Sequence, residues 1–216
     1  MKSKKLFTVR NLVLIAMFSA LAAILESLQI SVPFAPPFYK LDFAEIPVLI
    51  GGFSMGPLAV VCTAVLKNLL KLLIKGTSTY YVGEVGNIIG SCFFSVPAAV
   101  IYAMHKTKKQ AIVALIAGVI TAIIGACIVN CYITIPAYAV AFGGLENIIA
   151  MGTKINPAIK DLRTFAMFAI VPFNLLKCSL NAIVTMLVYK RVCMVIHSTD
   201  KLAEDRRAQR EAAEKK

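Results

Sequence analysis

The chain has 216 residues, 59% of them hydrophobic, a mean hydropathy of +0.78 and a formal net charge of +12. A soluble domain of this length is closer to half apolar, which argues against a water-exposed globule. Nucleic-acid binding is disfavoured by where the charge lies: Lys and Arg gather at span ends and in the two tails, a pattern of membrane topology and attraction to anionic lipid rather than of one basic soluble face.

A spanning helix needs about 20 mainly apolar residues. The first stretch that qualifies runs from Arg10 to Ile30. It follows a basic N-terminus, but no small-residue cleavage site follows it, so it reads as a retained span rather than a signal peptide. Ser31 to Asp42 is a loop with Pro33, Pro36 and Pro37. A short second helix covers Glu45 to Met55. Gly56-Pro57 breaks the chain, and a third helix runs to Ile74. Gly76-Thr77-Ser78-Thr79 is a loop, followed by a fourth helix from Gly83 to His105. Lys106 to Lys109 is a basic turn. The fifth helix is expected over Ala111–Tyr138, a longer polar connection over 139–163, and the sixth helix over Thr164–Lys190. The expected architecture is an all-α membrane protein with six transmembrane helices in one domain over 1–198, and a charged tail over 199–216. No internal repeat is visible. With Trp absent, Phe and Tyr are left to anchor the interfaces.

Fifteen of the 23 basic residues fall in the N-terminus, the Lys106–Lys109 turn and the C-terminal end. Six spans put all three on one side, and the positive-inside rule makes that side cytoplasmic, with both termini there. Lys67, Lys71 and Lys75 fit less well. They lie at i, i+4, i+8 near the outer end of the third helix, and snorkelling to the interface accounts for them.

Ionisable and amide groups inside spans are costly and become functional candidates. Lys177 lies near the middle of the last span, with Asn174 three residues before and Asn181 four after, all on one helical face. Pro172 stands one turn outward and can open the backbone. The group reads either as a structural network between helices or as a ligand site, since a central ammonium needs a partner that this apolar chain barely supplies. Glu84 and Asn87 open the fourth helix, where Glu84 can serve a ligand or merely the helix dipole. Asn130 in the fifth helix can bind a ligand or a neighbouring helix. The loop Phe38–Pro47 supplies aromatic rings, for a pocket or for the interface belt. Together these groups are expected to line one outward-opening pocket suited to a flat aromatic ligand with several donors and acceptors. Ala16, Ala20 and Ala23 form a small-residue stripe on the first helix, which reads as internal packing or as a docking face for another membrane subunit.

The six cysteines fall in apolar runs without a CxxC pair and read as buried small hydrophobes; Cys127 and Cys131, four apart, are badly placed for a disulfide. His105 and His197 are far apart. No metal set, HExxH, GxSxG or nucleotide-binding GxxxxGK[ST] pattern is present. Energy for any uphill transport is therefore expected from partner subunits.

Several blocks together carry a resemblance. They are Tyr39-Lys40-Leu41-Asp42-Phe43-Ala44-Glu45-Ile46-Pro47, Gly51-Gly52-Phe53, Gly56-Pro57-Leu58, Lys67-Asn68-Leu69-Leu70, Gly76-Thr77-Ser78-Thr79 and Val82-Gly83-Glu84. Over residues 8 to 195 the chain resembles the riboflavin-specific S components of energy-coupling factor (ECF) transporters. The departures, Ala44 where Ser is common and Val85-Gly86 where Leu-Ala is common, are conservative. The resemblance implies a six-helix, multi-pass subunit of the bacterial cell membrane that binds riboflavin near the outer face. The vitamin is the transported ligand, and no cofactor or enzymatic activity is implied. The resemblance further implies docking onto a transmembrane coupling subunit that carries two cytoplasmic ATPases. Glu84, Asn130, Asn174 and Lys177 are implied to bond the flavin ring and ribityl chain, Leu41 lies in a loop implied to cover it, and Ala16 and Ala20 match the docking pattern. Other readings are the same fold with another vitamin or FMN, an intramembrane enzyme using Glu84 and Lys177 as acid and base, and a purely structural subunit.

Overall fold

The computed structural model of the chain describes residues 8–33, 35–77, 81–141, 143–189 and 191–192. The basic residues before Thr8, along with Ser78, Thr79, Lys190, Cys193, His197 and the 199–216 tail, lie outside the described residues.

Helix α1 (Val9–Ser27) begins where Thr8 leaves an extended conformation and accepts the Asn11 backbone N–H on its side chain at 3.3 Å. The chain then folds back through a two-residue antiparallel ladder, β1 (Ile30–Ser31) against β2 (Lys40–Leu41), which pairs Ile30 with Leu41. The sequence reading has only a loop there, because two-residue strands carry no period to detect. Helix α2 (Glu45–Met55) ends at Gly56, whose φ of +101° suits glycine. Pro57 then opens α3 (Pro57–Lys75), in the first-turn position where a missing N–H costs nothing.

Helix α4 spans Val82–Met104. Helix α5 runs from Lys108 to Val140, a short α6 covers Leu145–Thr153, and α7 runs from Leu162 to Tyr189. Among the described residues, five helices (α1, α3, α4, α5 and α7) are long and apolar enough to cross a membrane, and α2 is a shorter apolar helix of 11 residues. The segment 139–163 is more than the expected polar connection, since α6 buries Ile148 and Gly152 against Phe165 and Ile159. The Asp161 side chain caps α7 by accepting the Thr164 backbone N–H at 2.7 Å. That bond and the Thr164 hydroxyl hold the carboxyl below its ordinary range.

Helix α2 is the centre of the bundle. Glu45 and every residue from Pro47 to Phe53 are buried, packed among α1, α3 and α4. At its C-terminal end Phe53 stacks on Tyr102 with ring centroids 4.4 Å apart, and Tyr189 meets the Phe53 ring edge-on. The large apolar residues left outside, among them Leu12, Met17, Ile116, Ile124 and Leu187, coat the long helices. That inside-out distribution is what a lipid solvent permits and water penalises.

Close helix crossings explain the prolines and glycines. Pro97 lies inside α4 and has no N–H for the Phe93 carbonyl, four residues earlier. The Thr121 hydroxyl of α5 lies 2.8 Å from that carbonyl and can supply the missing donor. One turn away, a methyl group on Gly118 would lie 2.7 Å from the Phe94 carbonyl oxygen. Gly118→Leu is therefore expected to force α4 and α5 apart and cost about 1–3 kcal/mol, read as a lower thermal midpoint in detergent. An unchanged midpoint would show that the crossing relaxes freely.

Two helices contain a widened π-helical turn, Asn130–Thr134 in α5 and Ala166–Ile170 in α7. Each stands just before a proline, Pro136 and Pro172. Widening the turn removes the clash between the ring and the preceding carbonyls, and such turns gather at functional positions.

Candidate functional site

A cavity of about 580 Å³ opens at the end of the bundle where α1 and α3 finish and α4 begins. Its walls come from the β1–β2 connection, α2, α3, α4, α5 and α7. Glu84, Asn87, Asn130, Asn174 and Lys177, widely separated in sequence, all line it. Leu41 does not: it is buried, while its neighbours Tyr39, Lys40 and Asp42 reach the cavity wall.

Two of the amides, Asn130 and Asn174, are held by their own helices. Asn130 Nδ2 donates to the Ala126 carbonyl and Asn174 Nδ2 to the Ile170 carbonyl, both at 2.8 Å. Asn130 Oδ1 also accepts the Tyr39 hydroxyl at 2.8 Å, and the Tyr39 ring stacks on Phe173 with centroids 5.0 Å apart. Burial, with Tyr138 and two cysteines nearby, pushes the Tyr39 phenol well above its usual pKa, so it remains a donor. Asn87 Nδ2 donates to Glu26 Oε1 at 2.9 Å.

The charged residues form a buried lattice that the sequence reading missed. Lys67 and Lys71 do not snorkel. Lys67 is 2% exposed and bonds Glu45 Oε1 at 2.5 Å, with Glu26 Oε2 3.9 Å away. Lys71 pairs with Glu26 at 3.1 Å and with Glu84 at 3.6 Å. Ser91 and Ser95 also donate to the Glu45 carboxylate. Only Lys75 behaves as expected for an interface residue, exposed and donating to the Ser27 carbonyl. The reason is the four-residue spacing of Lys67 and Lys71, which aims both at α1, α2 and α4, where the acids Glu26, Glu45 and Glu84 stand. Glu84 therefore does more than complement a helix dipole: Lys71 pairs with it, and the Thr77 hydroxyl donates to it at 3.1 Å.

Lys177 also has the partner that the sequence reading could not find. Its ammonium donates to Asp42 Oδ2 at 2.9 Å. Burial alone would raise the Asp42 pKa; the ammonium of Lys177, helped by Lys67, overrides it and holds the carboxyl below its ordinary value. Among the described residues no group of His, Cys, Asp and Glu is placed to hold a metal ion. The site therefore offers hydrogen-bond donors, acceptors and aromatic walls.

The small-residue stripe on α1 divides in two. Ala16 and Ala20 are exposed amid Leu12, Val13, Met17 and Leu21, forming a smooth outer face. Ala23 is fully buried inside the chain and cannot belong to that face.

The family profile of the ECF transporter substrate-specific component matches residues 10–189. The chain belongs to this family of S components. Its members bind a substrate for transport and are not enzymes. Similar proteins include the riboflavin transporter RibU of Staphylococcus aureus (strain TCH60), 30% identical over 183 residues, which covers 85% of this chain and 90% of that protein. The riboflavin transporter FmnP of Bacillus subtilis (strain 168) is 29% identical over 184 residues, covering 84% and 90%. A solved S component of a bacterial ECF transporter superposes with a TM-score of 0.67 at 29% identity, covering 87% of this chain and 97% of that one. This S component is thus an integral membrane protein, in keeping with its apolar coat.

Proposed function

We propose that this S component binds riboflavin in the cavity and delivers it across the bacterial cell membrane. The carrying observation is the convergence of Glu84, Asn130, Asn174 and Lys177, with Tyr39, Tyr138 and Phe173, on one cavity at one end of the bundle. A tricyclic flavin offers flat faces to the rings, and its carbonyls, ring nitrogens and ribityl hydroxyls match the amides and charged groups. The names of the RibU and FmnP relatives support the same ligand. On this reading α2, which reaches only part-way through the layer, is the sixth membrane helix, both termini are cytoplasmic and the cavity opens outward, following the basic-residue count. Asn87, bonded to Glu26 on the wall, contributes to binding through that contact.

The chain as purified in detergent is expected to carry a yellow flavin or, once stripped, to quench the fluorescence of added riboflavin. The sequence has no Trp, so quenching would come from Tyr39 and Tyr138. A colourless protein that leaves riboflavin fluorescence unchanged overturns the ligand.

Transport on this reading requires a transmembrane coupling subunit and two cytoplasmic ATPases, docked at the exposed Ala16–Ala20 face. The double substitution Ala16→Leu, Ala20→Leu is expected to abolish co-purification with the coupling subunit while leaving riboflavin affinity unchanged. Retained co-purification would move the docking face elsewhere.

A further inference from the structure

Asp42 stands at the junction between β2 and α2, 4% exposed, and every acceptor it offers is occupied. Oδ2 takes the Lys177 ammonium at 2.9 Å, Oδ1 takes the Ala44 backbone N–H at 3.1 Å, and the backbone carbonyl takes Asn181 Nδ2 at 3.0 Å. Apart from Lys177, the Ala44 N–H holds the carboxylate and the Asn181 amide holds the Asp42 backbone. A lysine has a long flexible stem and three equivalent N–H donors, so on its own it presents a charge without a direction. Pairing with a fixed carboxylate spends one N–H, cancels the charge and leaves the others with a defined aim. The Lys177 side chain is 17% exposed and lies on the cavity wall, so the remaining donors face the ligand space.

We propose that Asp42 is a positioning residue of the binding site, turning Lys177 from a free cation into a directional donor for an uncharged carbonyl of the ligand. The inference rests on the riboflavin reading. Asp42 reaches the cavity wall beside Lys177 and acts by holding its ammonium, so the loop before α2 sets the geometry of the site. An isolated ammonium would favour anionic ligands, whereas the neutral pair favours a polar ring without charge.

The test is a double-mutant cycle on the full chain in detergent, with riboflavin affinity read by fluorescence quenching for the unmodified chain, Asp42→Asn, Lys177→Met and the double variant. Asp42→Asn keeps the shape of the side chain and is expected to weaken binding at least tenfold, while Asp42→Glu, which keeps the charge, binds more tightly than Asp42→Asn. The double variant is expected to bind within about twofold of Lys177→Met alone. If Asp42→Asn leaves a buried ammonium that prevents folding, the comparison of Lys177→Met with the charge-free double variant decides alone. A double variant that multiplies the two losses, or falls tenfold below Lys177→Met, overturns the inference, as does an Asp42→Asn chain that binds like the unmodified one. Failure of the unmodified chain to bind riboflavin appears in the first titration and overturns the ligand reading instead.

Discussion

Lys67→Met should lower the stability of this protein by about 3–5 kcal/mol, the usual cost of stranding a buried carboxylate. Lys67 is the hub between Glu45 and Glu26, and its side chain is 2% exposed. Removing it leaves Glu45 with only the Ser91 and Ser95 hydroxyls, and Glu26 with Lys71 and Asn87. Both acids are buried, Glu26 at 1% and Glu45 at 7% exposure, so an unpaired charge on either is poorly solvated. The five described cysteines are free thiols in buried or half-buried positions. A thiol-reactive dye therefore reports unfolding directly, and the midpoint should fall by about 10 °C. Combining Lys67→Met with Glu45→Gln removes both charges and should recover part of the loss, because the penalty comes from the unpaired ion more than from the lost pair. A Lys67→Met chain that melts within a degree or two of the unmodified one would show that water enters the lattice and screens it.

The second large effect concerns the ligand. Under the proposed assignment, Lys177→Met should weaken riboflavin binding about a hundredfold and Asn174→Ala about tenfold, the range expected for a charged and a neutral hydrogen-bonding group. Leu73→Ala, on the outer coat at 83% exposure, should leave affinity unchanged and controls for general damage. Titration by fluorescence quenching reads all three. Equal affinity across the set would remove the α7 face from the site.

How much of this was legible in the sequence depends on the type of signal. The spans were legible because each is a long apolar run with punctuation at its ends, such as Gly56-Pro57 and the Lys106–Lys109 turn. Asn130, Asn174 and Lys177 stood out because a polar group in mid-span is expensive wherever it points. Lys67 and Lys71 were visible but misread, since a lysine near a span end looks the same whether it turns out to the interface or in to a carboxylate. Of their partners, Glu84 at the start of α4 stood out as a ligand candidate but not as a partner for Lys71. The other two were hidden: Glu26 is near the end of α1 and Glu45 opens α2, positions where an acid arouses no suspicion. Asp42 was hidden for the same reason, 135 residues from the lysine it holds. Ala23 shows the converse limit: helical spacing places it in line with Ala16 and Ala20, but only the fold decides where along a helix the neighbours begin.

The shortness of α2 sets the scale of everything above it. Eleven residues at 1.5 Å each reach about 16 Å, roughly half of a hydrocarbon layer of about 30 Å. Its far end is closed by Phe53, Tyr102 and Tyr189, so the shortfall accumulates at the other end, over Glu45. Because α2 is packed among α1, α3 and α4, the gap above it lies inside the bundle. What remains is a vacancy about 13 Å tall where the upper turns of a full-length helix would have stood. Cargo that fills it takes the place of the missing turns and meets the surrounding helices as a core residue would.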